Sequence, residues 1–228
     1  MSLARDGGAG GPAASRPSGG HIEVITGGMF SGKSEELVRR LRRAVIARQR
    51  VQVFKPAADL RTAPERLITR DKRELDAMAV ATSRDLHARL EPDVEVVGID
   101  EAQFFDDGLV HLLQELADRG LRVIVAGLDL DYRRRPFGPM PELLAIAEYV
   151  DKMHAVCVRC GSPAQYSQRI AGPEDQFHLG DTESYEARCR GCYEAFRRRA
   201  AGSSTHPMEL DGEATQPLRG RAGRRGPE

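Results

Sequence analysis

The segment from Gly27 to Ser34, which reads Gly-Gly-Met-Phe-Ser-Gly-Lys-Ser, constrains the fold of this chain more than any other. It matches the phosphate-loop pattern G-x-x-x-x-G-K-[ST] at every position. Residues 22–25 before it, which read Ile-Glu-Val-Ile, predict a short strand, and residues 34 to about 48 after it predict a helix. A glycine-rich loop between a strand and a helix is the setting that the motif requires, which argues against a chance match.

The chemistry of this loop indicates binding of a nucleoside triphosphate. Its glycines let the backbone curl so that successive N–H groups point at phosphate oxygens, and the helix N-terminus adds positive potential. Lys33 is expected to place its charge on the β- and γ-phosphates, and the Ser34 hydroxyl to ligate Mg²⁺. The candidate ATP-binding residues of the loop are Gly27, Gly28, Met29, Phe30, Ser31, Gly32, Lys33 and Ser34.

Strand and helix patterns alternate beyond the loop. Further strands are predicted at residues 51–54, 94–99 and 121–126, and further helices at residues 109–116 and 142 to about 150. The first helix is predicted to bury a stripe of Leu37, Leu41 and Val45. Strands rich in Val and Ile, separated by helices, predict an α/β fold of the P-loop NTPase, RecA-like type, with a mostly parallel sheet and helices on both faces.

Two adjacent carboxylates, Asp100 and Glu101, follow the strand predicted at residues 94–99. A phosphate-loop site needs an acidic residue at a neighbouring strand tip to hold Mg²⁺ directly or through water, and Asp100 is the candidate. Adjacent residues at a strand end are expected to project to opposite sides, which leaves Glu101 able to act as a general base. The competing interpretation is that both residues only cap the next element.

The four cysteines form two C-x-x-C pairs, separated by 28 residues, at Cys157, Cys160, Cys189 and Cys192. Four thiolates at this spacing predict a tetrahedral, structural Zn²⁺ site. A redox C-x-x-C would need a thioredoxin-like setting, which the sequence lacks. We therefore expect a small zinc-ribbon-like domain, and the segment between the two pairs is predicted to be a loop that closes over a substrate.

Composition sets the predicted domain organisation. Residues 1–20 and about 200–228 are rich in Gly, Ser, Pro and Ala or Arg, and are expected to be disordered tails. Between them we expect a P-loop nucleotide-binding domain at residues 21–152 and a zinc-binding lasso domain at residues 153–196, with the C-terminal tail from residue 197.

Charge and hydropathy narrow the classes of partner. The 34 basic and 34 acidic residues give a formal net charge of zero, which does not support a polynucleotide partner. No run of about 18 apolar residues exists that could span a membrane, and no signal-peptide pattern is seen at the N-terminus. We expect a soluble, cytoplasmic protein that acts on small molecules.

Five strings together resemble the type II thymidine kinases in order and spacing. They are G-G-M-F-S-G-K-S, I-D-E-A-Q-F-F-D at residues 99–106, L-D-L-D-Y-R-R-R-P-F at 128–137, A-V-C-V-R-C at 155–160 and C-R-G-C-Y at 189–193. The resemblance covers about residues 21–196. It implies ATP:thymidine 5′-phosphotransferase activity, with deoxyuridine as a further substrate, in pyrimidine salvage. It also implies a homotetramer with one zinc per subunit.

The resemblance also implies roles for individual residues. Glu101 matches the catalytic base, Lys33 and Ser34 match the triphosphate and Mg²⁺ contacts, Asp100 matches the magnesium-associated aspartate, and Arg61 matches an arginine near the phosphates. The positions that match the thymidine pocket are Met29, Phe104, Leu128, Tyr132, Phe137 and Tyr185. The closing loop corresponds to Phe177, His178, Leu179 and Gly180, which would bind the base through main-chain groups. Tyr132 stands where the family commonly has Phe.

Without the resemblance, the residues lead to ATP, Mg²⁺ and a zinc-held loop, and do not identify the base. Three alternatives remain at this level. The first is an ATPase that moves nucleic acid, which polynucleotide-stimulated turnover would reveal. The second is a zinc-ribbon binding module that uses ATP as a switch and makes no phosphorylated product. The third keeps the chemistry but accepts another pyrimidine deoxynucleoside.

Overall fold

A computed structural model describes residues 19–57, 66–68, 74–171 and 183–193, with only the backbone described at 66–68, 74 and 75. The predicted tails, Arg61 and the closing-loop residues at 177–180 lie outside these ranges. Within the described part of the chain, no helix combines the length and apolar character needed to cross a membrane.

Six parallel strands form the main sheet, in the order β5-β2-β6-β7-β1-β8. The strands up to β8 are β1 (His21–Gly27), β2 (Val51–Pro56), β3 (Arg66–Ile68), β4 (Glu74–Asp76), β5 (Met78–Val80), β6 (Val96–Ile99), β7 (Arg122–Gly127) and β8 (Tyr149–Met153). β3 and β4 form a separate antiparallel pair. The helices are α1 (Lys33–Ile46), α2 (Ser83–Ala88), α3 (Gly108–Asp118) and α4 (Met140–Ile146).

Hydrophobic cores lie on both faces of this sheet, because side chains alternate along each strand. In β7, Val123 and Val125 face the core formed with α2, α3 and α4, whereas Ile124 and Ala126 face the core formed with α1. The predicted α/β class, with a parallel sheet covered by helices on both faces, is confirmed.

The predicted apolar stripe of α1 is wrong at one position. Leu37 and Leu41 are fully buried, as expected, but Val45 is 50% exposed. The buried set instead includes Val38 and Ala44. Val45 lies in the last turn of α1, where Ala44 is the residue that still packs on the sheet.

The helix predicted at 142 to about 150 is also wrong in its second half. α4 ends at Ile146, and Ala147 has an extended backbone (ψ 137°). The Glu148 N–H then donates to the Ile22 carbonyl, and β8 runs beside β1. β8 is an edge strand whose residues are mostly exposed, so it lacks the buried apolar pattern by which strands are recognised in a sequence.

Four short strands form the small domain that carries the cysteines. They are β9 (Ala155–Val156), β10 (Pro163–Ala164), β11 (Tyr166–Arg169) and β12 (Tyr185–Arg188). β9 pairs with β10 and β11 pairs with β12, both antiparallel. The core of this domain is small, with Ala155, Cys157, Ala164 and Ala187 buried together. So small a core supplies little hydrophobic stabilisation, which is typical of domains held by a metal.

A groove of about 660 Å³ lies at the amino-terminal ends of the strands, opposite the phosphate loop. Its wall holds a network of ion pairs centred on Glu23, which accepts from Arg122 at 2.6 Å and from Arg40 at 2.7 Å. Arg40 also contacts Glu36 at 2.7 Å and Asp151 at 2.5 Å. Burial alone would raise the pKa of Glu23, but its hydrogen bonds with the two arginines lower it. The network ties α1 to β1, β7 and β8.

Glu36 gives this network a measurable pH dependence. A hydrogen bond from Arg39 lowers the pKa of Glu36 from 4.5 to about 2; burial opposes this shift and Arg40 adds to it. The ionised form is favoured in the folded state, so its stabilisation is present above pH 4.5 and is lost as the pH falls towards 2. Relative to Glu36→Gln, we expect the parent to be more stable by about 1–2 kcal/mol at pH 7, because Arg39 is exposed and its contribution is screened by solvent.

Urea unfolding at pH 7, 4.5 and 3 measures this difference, which should stay constant down to about pH 4.5 and shrink below it. Glu142→Gln, at an exposed position on α4, is the matched control. Its free energy of unfolding should stay close to that of the parent at all three pH values. If the difference in the free energy of unfolding between the parent and Glu36→Gln were unchanged at pH 3, the lowered pKa of Glu36 would be contradicted.

Candidate active site

The phosphate loop curls between β1 and α1 and closes on its own carbonyl groups. The Lys33 ammonium and the Ser31 hydroxyl both donate to the Gly28 carbonyl, each at 2.8 Å. Gly32 has φ 86° directly before α1, a left-handed conformation that glycine adopts without steric cost. Phe30 also has a positive φ, of 66°. The loop is therefore a tightly held backbone turn at the carboxyl end of β1.

Asp100 lies next to this loop, as predicted, at the end of β6. Its carboxylate accepts a hydrogen bond from the Ser34 hydroxyl and is attracted by the positive charge of Lys33, and both interactions lower its pKa. Burial and repulsion from Glu101 outweigh these contacts and raise the pKa of Asp100 to about 7. A buried carboxylate beside a hydroxyl offers two oxygen donors, the ligand type that Mg²⁺ prefers. Ser34 and Asp100 therefore fit a magnesium ion.

The backbone at Glu101 differs from the extended strand end that was expected. β6 ends at Ile99, so strand alternation does not apply to these two residues. Glu101 instead has a left-handed backbone, with φ 51° and ψ 41°, and begins a 3-10 turn over Ala102–Phe104. Left-handed conformations are uncommon for residues other than Gly, Asn and Asp, and they concentrate at functional sites.

Gln103 is a site residue that the sequence interpretation did not select. Its side-chain amide donates to Glu101 Oε2 at 2.5 Å, and its side-chain carbonyl accepts from the Leu128 N–H at 2.9 Å. The side chain thus joins the turn after β6 to the loop after β7. The glutamine of the D-E-x-Q string was the available signal.

The predicted nucleoside-pocket residues form two groups. Phe104 and Phe137 meet edge to face, with ring centroids 5.5 Å apart. Tyr132 and Tyr185 come from different domains and are joined by Arg169, whose guanidinium lies 3.7 Å from the Tyr132 ring centroid. Arg169 also donates to the Tyr185 hydroxyl at 2.6 Å. The sequence interpretation did not select Arg169.

The small domain packs directly on the phosphate loop. The Met29 N–H donates to the Ser167 hydroxyl at 2.9 Å, across 138 residues of sequence. Gly28 lies so close to β11 that a Cβ atom there would come within 2.9 Å of the Gln165 carbonyl oxygen. Phe30 packs against the core of the small domain. Of the predicted site residues, Met29 therefore lies where the two domains meet.

The four cysteines come together as predicted. All four Sγ atoms lie within 4.8 Å of one another, and those of Cys160 and Cys189 are 3.6 Å apart. Thiolates bound to zinc at about 2.3 Å in a tetrahedron are about 3.8 Å apart, so the cluster fits Zn²⁺. Burial opposes ionisation of Cys157, but backbone N–H groups, including that of Cys189, lower its thiol pKa to about 6. These N–H groups favour a thiolate, the form that binds zinc.

The fold and the site together define a P-loop protein of α/β architecture, with a cluster of four cysteines that could hold a metal ion in a small domain that contacts the phosphate loop. Comparison with known proteins narrows this class. The family model described as Thymidine kinase matches residues 20–193. The chain belongs to the thymidine kinase family and is therefore a kinase, that is, a phosphotransferase.

The match to known relatives extends over most of the length of each relative. The thymidine kinase of Bacteroides thetaiotaomicron is 51% identical over 174 residues, which is 76% of this chain and 87% of that protein. The thymidine kinase of Porphyromonas gingivalis is 55% identical, over 76% of this chain and 85% of that protein. The thymidine kinase of Bdellovibrio bacteriovorus is 52% identical, over 75% of this chain and 84% of that protein. Domain III of DnaA from Thermotoga maritima is similar only at a TM-score of 0.38 and 17% identity, over 60% of this chain and 56% of that one.

Proposed function

We propose that this chain transfers the γ-phosphate of ATP to the 5′-hydroxyl of thymidine, and also of deoxyuridine, to give dTMP or dUMP in pyrimidine salvage. The observation that carries the proposal is the position of Glu101. It links two parts of the proposed site: it directly follows Asp100, which contacts Ser34 of the phosphate loop, and it begins the turn that carries Phe104, whose ring packs edge to face on Phe137. An acceptor hydroxyl between the two would lie beside a carboxylate.

The phosphate loop is assigned to the triphosphate. Its backbone N–H groups and the Lys33 ammonium neutralise the charge of the phosphates, and the start of α1 adds positive potential. Ser34 and Asp100 would hold a Mg²⁺ ion, which supplies further positive charge to the phosphate oxygens when it is bound. Arg61, outside the described residues, is proposed as a further phosphate contact.

Glu101 is assigned as the general base that accepts the proton of the 5′-hydroxyl as that oxygen attacks the γ-phosphorus, while the bond from the γ-phosphorus to the β-phosphate oxygen breaks and ADP leaves. Phosphoryl transfer passes through a loose transition state, so positioning of the two reactants supplies much of the acceleration. The left-handed backbone of Glu101 supports this role, since such backbones concentrate at functional sites. A base must lie within hydrogen-bond reach of the proton that it removes.

The nucleoside is assigned to the groups formed by Phe104 with Phe137 and by Tyr132 with Tyr185, together with Met29 and Leu128. The closing loop at Phe177, His178, Leu179 and Gly180 is proposed to bind the base through main-chain groups. Its closure would exclude water, which otherwise competes as the phosphate acceptor.

The remaining features of the proposal concern assembly. We propose that the four cysteines hold a structural Zn²⁺, which fixes both ends of the closing loop. The protein is proposed to be a homotetramer that acts in the cytoplasm. These assignments rest on the family resemblance at residues 21–196 and, for zinc, on the cluster of four cysteines.

Phosphate transfer from labelled ATP with Mg²⁺ to a panel of nucleosides tests the function. Label is expected on thymidine and deoxyuridine, with little on purine nucleosides. Release of label only as free phosphate would favour an ATPase and contradict the proposal. Transfer to a different pyrimidine deoxynucleoside alone would retain the chemistry and reassign the base.

A further inference from the structure

We propose that Gln103 is a positioning residue for the transfer reaction, which fixes the carboxylate of Glu101 and ties it to the wall of the nucleoside site. The inference rests on the proposed function, because it assumes that Glu101 acts on the acceptor hydroxyl. It assigns a role to a residue that neither the phosphate loop nor the aromatic groups contain.

The orientation of the Gln103 amide is determined by its two partners. The Leu128 N–H can only donate, so the group that faces it is the Gln103 side-chain oxygen, at 2.9 Å. The nitrogen therefore faces the Glu101 carboxylate, whose Oε2 accepts at 2.5 Å. An amide has one end of each kind, and here each end meets its complement. A carboxylate at position 103 could accept from the Leu128 N–H but could not donate to Glu101.

The surroundings of Gln103 leave it little freedom. The side chain is 2% exposed, so a change of rotamer would leave buried polar groups without partners. A Cβ atom at Gly127 would come within 3.0 Å of the Gln103 side-chain oxygen, and one at Gly138 would overlap its backbone carbonyl. The two glycines thus let the β7 loop pack closely around this residue.

This arrangement has a consequence for the reaction. The hydrogen bond to Oε2 restricts rotation of the Glu101 carboxylate, and Leu128 at the other end belongs to the predicted nucleoside pocket. One buried amide therefore fixes the position of the proposed catalytic base, Glu101, relative to Leu128 in the wall of the nucleoside pocket. Because misplacement of a reacting group by about 1 Å can lower a rate by about 100-fold, a rigid link of this kind affects turnover more than ligand affinity.

Two substitutions separate the two ends of the link. Gln103→Glu is nearly isosteric and keeps an acceptor for Leu128, but in its ionised form it removes the donor to Glu101 and places a like charge beside that carboxylate. Gln103→Met removes both hydrogen bonds at similar volume. We expect kcat to fall by about 10- to 100-fold in both variants, with the KM for ATP changed by less than about threefold. Gln114→Glu, the same change at an exposed position on α3, is the control and should behave as the parent.

The comparison of the two variants identifies which end matters. A Gln103→Glu variant with nearly parental kcat, beside a damaged Gln103→Met, would mean that Gln103 only supports Leu128 and would overturn the proposal. So would an equal rise in the KM for ATP and loss of kcat, which indicates a general structural defect. Because Gln103→Glu keeps the shape of the side chain, it remains informative if Gln103→Met fails to fold.

A double substitution separates failure of this inference from failure of the proposed function. In Glu101→Gln/Gln103→Glu the amide and the carboxylate exchange places, so the hydrogen bond between them is restored without a base at position 101. We expect thermal stability to recover relative to Gln103→Glu, while turnover stays at the level of Glu101→Gln. If Glu101→Gln itself retains full activity, the base assignment fails; if it is inactive and Gln103→Glu is fully active, only the role of Gln103 fails.

Discussion

Replacement of Glu101 by Gln is expected to lower turnover with thymidine by at least about 100-fold, while ATP affinity remains largely intact. The substitution keeps the size of the side chain but removes the carboxylate that is proposed to accept the hydroxyl proton. ATP affinity should persist because the phosphate-loop contacts of Lys33 and Ser34 do not involve Glu101. Steady-state phosphate transfer, together with ATP binding measured by calorimetry, tests both parts.

Glu115→Gln on the exposed surface of α3 is the matched control, since it removes a carboxylate of the same size away from the phosphate loop. It should leave both turnover and ATP affinity unchanged. A nearly parental rate for Glu101→Gln would remove Glu101 from the role of base. A large loss of ATP affinity would mean instead that the carboxylate acts chiefly in nucleotide binding.

The second large effect is expected from Cys157→Ser. Cys157 is 2% exposed and belongs both to the cysteine cluster and to the core of the small domain. With three thiolates left, metal content should fall from about one zinc per chain to a small fraction of that value. Metal binding and folding are coupled in small domains, so we expect hydrogen exchange to accelerate strongly over residues 155–169 and 185–193. Metal analysis and amide exchange measure the two effects.

Ser162→Ala is the control for this experiment, because it removes a hydroxyl that contacts Cys160 but keeps all four thiols. It should retain the metal. Unchanged metal content in Cys157→Ser would contradict the zinc assignment. Slower transfer in Cys157→Ser is also expected, since Ser167 and Arg169 reach the phosphate loop and Tyr132 from the small domain.

The features that were correctly predicted are those that depend on a few residues close together in the sequence. The phosphate loop needs glycine at fixed positions between a strand and a helix, so eight consecutive residues contain its signal. The buried strands β6 and β7 contain continuous apolar runs, which is typical of parallel sheets. The cysteine pairs carry their metal-binding geometry in their spacing, and the four Sγ atoms do converge. Family membership followed from these strings and is confirmed.

The features that were missed depend on contacts between distant segments. β8 lies at the edge of the sheet with its side chains mostly exposed, so no run of buried residues marks it. Val45 satisfies the helical period, but the sheet does not reach it. Gln103 and Arg169 are polar residues that each have a partner from another part of the chain, Leu128 and Tyr132 respectively, and no local pattern indicates these distant partners. The catalytic and nucleoside-binding roles of individual residues remain predictions.

The hydrogen bond between Met29 and Ser167 bears on the order in which the protein can mature during synthesis. The phosphate loop is synthesised before the small domain, yet the acceptor for one of its backbone N–H groups is made 138 residues later. A nascent chain that ends before β11 can form α1 but cannot make this contact. The loop therefore reaches the set of hydrogen bonds seen in the structure only after β11 has been synthesised.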